Sequence, residues 1–123
     1  MTMTMPKRRV PIMDNKNNKR KCYISGPITN CANYLEVFKQ AESAVKEMGM
    51  IPVNPAEAFS SLKGLEWKDY MMLSIDLLFS CDAIFMLPNW EASAGASIEH
   101  SFAVGAGYII VDGWKNDKGV NEF

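Results

Sequence analysis

Four short runs that are apolar on both faces, separated by three stretches of helical period, leave this chain few ways to fold. The runs are Lys21–Ser25, Met50–Val53, Asp82–Leu87 and Tyr108–Val111. A strand with one wet face alternates apolar and polar residues; Ala-Ile-Phe-Met-Leu before Pro88 does not. Such strands belong in a parallel sheet covered by helices on both sides. Between the first two runs, Tyr34, Val37, Phe38, Ala41, Ala44, Val45 and Met48 recur at three and four, which predicts a helix over Asn33–Met48 closed by Gly49. A loop through Ser60–Gly64 precedes a second helix, about Leu65–Ser80, and a small-residue helix follows from about Ala94 to Val104. The order is β-α-β-α-β-α-β. Right-handed crossovers turn it into a doubly wound, flavodoxin-like α/β fold with a parallel sheet of four to five strands, ordered 2-1-3-4.

Charge divides the chain at its first strand. Before Cys22, seven basic residues stand against the single acid Asp14; from Cys22 onward, six basic residues face thirteen acidic ones. Residues 1–19, with Pro6, Pro11 and no apolar period, read as a flexible basic leader, and 20–123 as one domain. The acidic body is a poor nucleic-acid surface, because neutralising phosphates needs clustered Lys and Arg; only the leader could touch nucleic acid. The leader lacks the apolar segment of a secretory signal, and no run reaches the ~20 apolar residues of a membrane span, so a cytoplasmic location is expected. Cys22, Cys31 and Cys81 show no metal-ligand spacing. No metal and no cofactor is expected.

In a doubly wound sheet, ligands bind outside the carboxyl ends of the strands. Here those ends carry Ser25-Gly26-Pro27-Ile28-Thr29-Asn30, then Asn54-Pro55, then Pro88-Asn89-Trp90-Glu91. On the helix that follows, Glu99 shares its face with Gly95, Ala96, Phe102 and Ala103. A carboxylate on the least polar face of its helix, beside small residues that leave a concavity, suits a nucleophile or base. It suits equally a Glu that holds a loop amide. On the preceding helix the apolar stripe is Trp67, Tyr70, Met71, Ser74 and Leu78, and Asp76 lies opposite it. That position faces solvent, although the polar strip is narrow enough to border a cleft. His100, the one histidine, diverges from Glu99 by ~100° around the helix and reads as a surface or packing residue.

Five segments, taken in order, resemble the nucleoside 2-deoxyribosyltransferase-like superfamily, in particular its short bacterial and phage branch related to deoxynucleoside 5′-monophosphate N-glycosidases. They are Tyr23-Ile-Ser-Gly-Pro-Ile28, Val53-Asn-Pro-Ala56, Trp67-Lys-Asp-Tyr-Met71 leading to Asp76, Cys81-Asp82-Ala, and Leu87-Pro-Asn-Trp-Glu-Ala-Ser93-Ala-Gly-Ala-Ser-Ile-Glu99. The resemblance implies cleavage or transfer at the N-glycosidic bond of a nucleoside or nucleoside 5′-monophosphate. Glu99 would attack the anomeric carbon, Asp76 would handle the proton of the base, and Tyr23 would position sugar and nucleophile. Ser93 matches a hydroxyl that holds a 5′-phosphate, and Ser25 and Gly26 form the adjoining loop. Ile28, Asn54, Trp90 and Gly95 complete the expected substrate-binding set. The resemblance also implies a homodimer or larger assembly, with sites finished by a neighbouring chain. One departure stands out: the monophosphate hydrolases carry an Arg shortly after the first strand, where this chain has Pro27-Ile-Thr-Asn30.

The same scaffold admits a non-catalytic nucleotide-binding protein, or an N-glycosidase acting on a ribonucleotide or an ADP-ribose-type ligand. A pure interaction domain would leave the placement of Glu99 unexplained.

Overall fold

The computed structural model describes residues 19–29 and 31–114. The leader expected over 1–19 therefore lies, apart from Lys19, outside the described residues, as does the tail beyond Trp114. The elements run β1 (Lys21–Ser25), α1 (Tyr34–Glu47), β2 (Ile51–Val53), α2 (Pro55–Ala58), α3 (Trp67–Phe79), β3 (Ala83–Met86), α4 (Ala94–Gly105) and β4 (Ile109–Asp112), with a 3₁₀ turn at Trp90–Ala92 before α4. The four strands are all parallel and ordered β2-β1-β3-β4. This is the α/β architecture and strand order expected from the apolar runs.

The pleat of β1 sorts its side chains to opposite faces of the sheet. Cys22 and Ile24 pack with Phe38, Ala41 and Val45 of α1 and with Ala56 of α2. Tyr23 turns the other way and packs with Leu78 of α3 and with Ala96 and Ala103 of α4. Each face is thus sealed by its own helices, so every residue of β3 is buried. Tyr23, Ile24, Ile84 and Leu78 have no exposed surface.

The chain leaves β1 through α1 to reach β2 on one side, while β3 pairs on the other side. The carboxyl ends of β1 and β3 therefore flank the switch point, where loops diverge and a cleft opens. Leu87, just past β3, donates its backbone N–H to the Ser25 carbonyl at 2.8 Å, which extends the pairing to the edge of that cleft.

The short helix α2 breaks what the sequence reads as a strand end. Asn54 accepts from the Glu57 backbone N–H at 3.1 Å, and Pro55 occupies the first turn. Asn followed by Pro is an N-cap and first-turn signature, so the signal was present but short. Of the three cysteines, Cys22 and Cys81 are buried and Cys31 is partly exposed; all are free thiols. Burial, with Cys81 close by, pushes the Cys22 thiol up to about 12. It stays protonated and behaves as a small apolar side chain.

Candidate active site

Glu99 is 6% exposed, although it is an ionisable side chain in the middle of α4. A buried carboxylate needs donors, and β1 supplies both. Tyr23 Oη donates to Oε2 at 2.6 Å, and Ser25 Oγ donates to Oε1 at 2.6 Å. The two residues are two apart on one strand, so they project from the same sheet face beneath α4. One hydroxyl on each oxygen fixes the carboxylate plane.

Burial pushes the Glu99 carboxyl above its ordinary value, and the hydrogen bonds from Ser25 and Tyr23 pull it partly back. Tyr23 is pushed well above the usual tyrosine range by burial first and by the charge of Glu99 second. It therefore keeps its proton and remains a donor to the carboxylate. The upward shift at Glu99 comes from desolvation and not from a second carboxylate.

Glu99 lines a cavity of about 360 Å³ at the carboxyl end of β1, bordered by the segments that follow β1 and β2 and by the first turns of α4. That lies within the range of small-molecule sites, about 300–1,000 Å³. Tyr23, Ser74, Ser93, Gly95 and Ala96 line the same cavity. Aromatic and sulfur-bearing side chains from α3 (Trp67, Tyr70 and Met71) cover one side, and Tyr34, Phe38 and Phe59 form another. The β1–α1 loop adds Gly26, Ile28 and Thr29. Such walls suit a flat, mostly apolar ring with a few polar atoms. Among the described residues lining the cavity, Glu99 is the one carboxylate, and there is no Lys, Arg or His. No group of three or more His, Cys, Asp or Glu among the described residues is placed to hold a metal ion.

Ser93 caps α4, accepting from the Ala96 backbone N–H at 3.2 Å, and reaches the cavity as well. Gly95 keeps the floor low: a Cβ there would come within 3.1 Å of Met71 Sδ. Gly26 is required by packing, since a Cβ would lie 2.6 Å from Leu87 Cβ. Tyr23, Gly26, Ile28, Ser93, Gly95 and Glu99 are thus brought to one cavity, and Ser25 is joined to it through Glu99.

The family model described as a domain of unknown function, DUF4406, matches residues 20–112. The chain belongs to the DUF4406 family. Its fold is similar to that of the 2-deoxyribosyltransferase of the psychrotolerant bacterium Bacillus psychrosaccharolyticus, with 18% identity and a TM-score of 0.56 over 73% of this chain and 69% of that one. It is also similar to the 2-desoxiribosyltransferase of Leishmania mexicana, with 20% identity and a TM-score of 0.55 over 74% of this chain and 61% of that one. Likeness at such identities shows the fold. No curated protein matches the sequence.

Three expected members of the site stand elsewhere in this DUF4406 chain. Asp76 is exposed on α3 and does not line the cavity, because Ser74 and Leu78 occupy the buried stripe and Asp76 lies about 200° from Ser74 around the helix. Asn54 spends its amide on structure: Oδ1 caps α2, and Nδ2 donates to Glu42 at 2.8 Å. Trp90 stacks on His100, with ring centroids 4.2 Å apart and planes 25° apart, so the 3₁₀ turn lays the indole on α4 and not in the cleft. In the other direction, Tyr34, Phe38, Phe59, Tyr70 and Ser74 line the cavity without having been singled out as site residues. Tyr70 and Ser74 lie on the inward stripe of α3. That stripe was the available signal, although core packing alone produces the same pattern.

Proposed function

We propose that this chain cleaves or transfers at the N-glycosidic bond of a nucleoside, with Glu99 as nucleophile. One observation carries the reading: a buried carboxylate, held in one plane by two hydroxyl donors at 2.6 Å, borders a cavity of nucleoside-compatible size. The solved relatives, whose names describe 2-deoxyribosyl transfer, lend the fold to the same chemistry.

In this reading Glu99 attacks C1′ of the sugar as the C1′–N bond breaks, and the electron pair leaves with the base. The product is a glycosyl ester on Glu99. Water, or a second base, then attacks C1′ and releases the carboxylate. Tyr23 and Ser25 hold the nucleophile in line and need not reorganise as its charge changes. Asp76 faces away from the cavity of its own chain, so as an acid for the departing base it would act in the cavity of a second copy. The exposed apolar side chains of α3, Met72 at 72% and Phe79 at 70%, favour such a homo-oligomer.

The cavity also bears on substrate class. A phosphate brought into a site without cations would lose hydration with no counter-charge in return. The described lining therefore favours a neutral nucleoside over its 5′-monophosphate.

A second reading, a nucleoside-binding protein without turnover, is favoured by the single carboxylate among the described lining residues. Incubating the purified protein with deoxynucleosides, ribonucleosides and their 5′-monophosphates, with and without an acceptor base, separates the two. The glycosidase reading expects chromatographically detectable free base that disappears in Glu99→Gln. Binding of the same nucleosides with no base released by the wild-type protein selects the second reading.

A further inference from the structure

Tyr23 and Ile24 are consecutive on β1, so their side chains leave opposite faces of the sheet, and yet both line the cavity. The cavity therefore wraps the carboxyl end of β1 and joins the two faces. On the face of α3 and α4 stands Glu99, held by Tyr23 and Ser25. On the face of α1 and α2 the buried Ile24, Phe38 and Ala56 form a floor, and Tyr34 and Phe59 stand beside it. Polar atoms are few at this second end. Ser60 spends its proton on the Glu57 carbonyl at 3.0 Å. Tyr34, the first residue of α1, is fixed through its ring, which meets Phe38 edge-on with centroids 6.4 Å apart and planes at 86°. Its hydroxyl makes no hydrogen bond with any described residue.

Displacement at C1′ runs in line: the nucleophile enters opposite the bond that breaks. With C1′ against Glu99, the base extends away from α4, across the end of β1, toward α1 and α2. We propose that Tyr34 is a specificity-determining residue, whose hydroxyl donates to a ring carbonyl oxygen on the edge of the base remote from the sugar. The proposal deepens the reading of Glu99 as nucleophile and rests on it, because that reading is what places C1′. The substrate class it selects is a nucleoside with a keto base. A keto oxygen carried into this apolar end loses its water, and the phenol proton takes the place of that water. An amino group at the same position cannot accept the proton and leaves it unpaired. The glycosidic nitrogen stays beside C1′, at the opposite edge of the base, so an acid from a second copy and Tyr34 meet different atoms.

The other hydroxyls of the cavity stand elsewhere. Ser74 and Ser93 belong to α3 and to the cap of α4, on the face of Glu99. Tyr70 reaches toward the Leu62 carbonyl at 3.4 Å. Thr29 is exposed on the β1–α1 loop, where water satisfies it.

The test separates the hydroxyl from the ring. Binding of 2′-deoxyinosine, and of purine 2′-deoxyriboside, which lacks the keto oxygen, is measured by calorimetry on the full chain carrying Glu99→Gln, so that the ligand is not consumed. The same titrations are repeated with Tyr34→Phe and with Tyr34→Leu added. Tyr34→Phe is expected to weaken deoxyinosine roughly threefold to tenfold, the scale of one uncharged hydrogen bond, and to leave purine 2′-deoxyriboside within a factor of about two. Tyr34→Leu, which removes the ring as well, should weaken both. Phenylalanine keeps the edge-on contact with Phe38, so the melting temperature should stay that of the parent, and a loss confined to deoxyinosine then reports the hydroxyl. No binding of deoxyinosine, an unchanged affinity in Tyr34→Phe, or an equal loss for both nucleosides overturns the proposal. So does a preference for 2′-deoxyadenosine over deoxyinosine that Tyr34→Phe abolishes. Base release by the wild-type chain is measured apart. Release without a selective effect of Tyr34→Phe removes this proposal alone, whereas selective binding without release removes the glycosidase reading and leaves the Tyr34 contact standing.

Discussion

The Tyr23 hydroxyl meets Glu99 Oε2 at 2.6 Å across 76 residues of sequence, and this contact ties β1 to α4 at the one buried carboxylate among the described residues. Tyr23→Phe removes the donor and nothing else of that side chain. The carboxylate then loses a stabilising hydrogen bond, so the Glu99 midpoint, already raised by burial, rises further. The acid limb of the pH–rate profile should move to higher pH. Unfolding by urea should show a loss of about 1–3 kcal/mol at neutral pH. That loss should shrink in acid, where the carboxyl is protonated and needs no donor.

Glu99→Gln tests both chemistry and stability. The folded-state value of Glu99 lies above its unfolded value, so the native state holds the proton longer as pH rises. Stability is therefore lost as pH climbs through the folded-state midpoint. A neutral amide of the same shape escapes that loss. Glu99→Gln should melt at a higher temperature than wild type at neutral pH, with the gap narrowing toward acid. Base release should fall by roughly 10³-fold or more, the scale of removing a nucleophile.

Two glycines of the cavity should respond differently to alanine. At Gly26 the new Cβ would lie 2.6 Å from Leu87 Cβ and 2.7 Å from its Cδ1, a collision that no rotamer of Leu87 removes. Gly26→Ala should cost about 1–3 kcal/mol in thermal denaturation. At Gly95 the nearest atom is Met71 Sδ at 3.1 Å, the flexible end of an adaptable side chain. Gly95→Ala should leave stability within about 0.5 kcal/mol, since alanine also favours the helix. It narrows the cavity beside Glu99, so calorimetric nucleoside binding should weaken.

The cation-poor lining predicts a substrate order. A deoxynucleoside should show a higher kcat/KM than its 5′-monophosphate, by about tenfold or more, equivalent to ~1.4 kcal/mol. A preference for the monophosphate would show that cations from outside the described residues, or from a second copy, reach the site.

If Asp76 serves a neighbouring cavity, Asp76→Asn and Glu99→Gln should each lose base release. Mixed and re-equilibrated, the two variants should regain part of it, because mixed assemblies contain one site with both native carboxyls. The same preparation should run as a dimer or larger in light scattering.

Much of the architecture could be read locally. Strand identity followed from runs such as Ala83–Met86, apolar at every position, and helix identity from the period through Tyr34, Phe38, Ala41 and Val45. Both are properties of neighbouring residues, so a window of the sequence contains them. The boundaries of α1 differ from the expected ones by a residue at each end, where capping rather than period decides. The four-residue helix α2 is shorter than any periodicity can register.

The sequence alone also singled out Glu99, since a carboxylate beside Gly95, Ala96 and Ala103 conflicts with its own helix face. The resemblance named Tyr23 as its companion; what neither supplied was the second donor. Ser25, expected in a binding loop, ends β1 and holds Oε1, because the strand places it on the same pleat as Tyr23. Asp76, Asn54 and Trp90 are polar or aromatic residues near strand ends, and composition does not distinguish one that lines a cleft from one that caps α2 or covers His100. On α3 the helical period already set Ser74 on the apolar stripe and Asp76 opposite it, and the structure keeps that arrangement; it was the resemblance that placed Asp76 in the site. Local period sets which residues share a face; packing against the other elements decides what that face meets, and here it brings Ser74, and not Asp76, to the cavity that Tyr23 and Glu99 line.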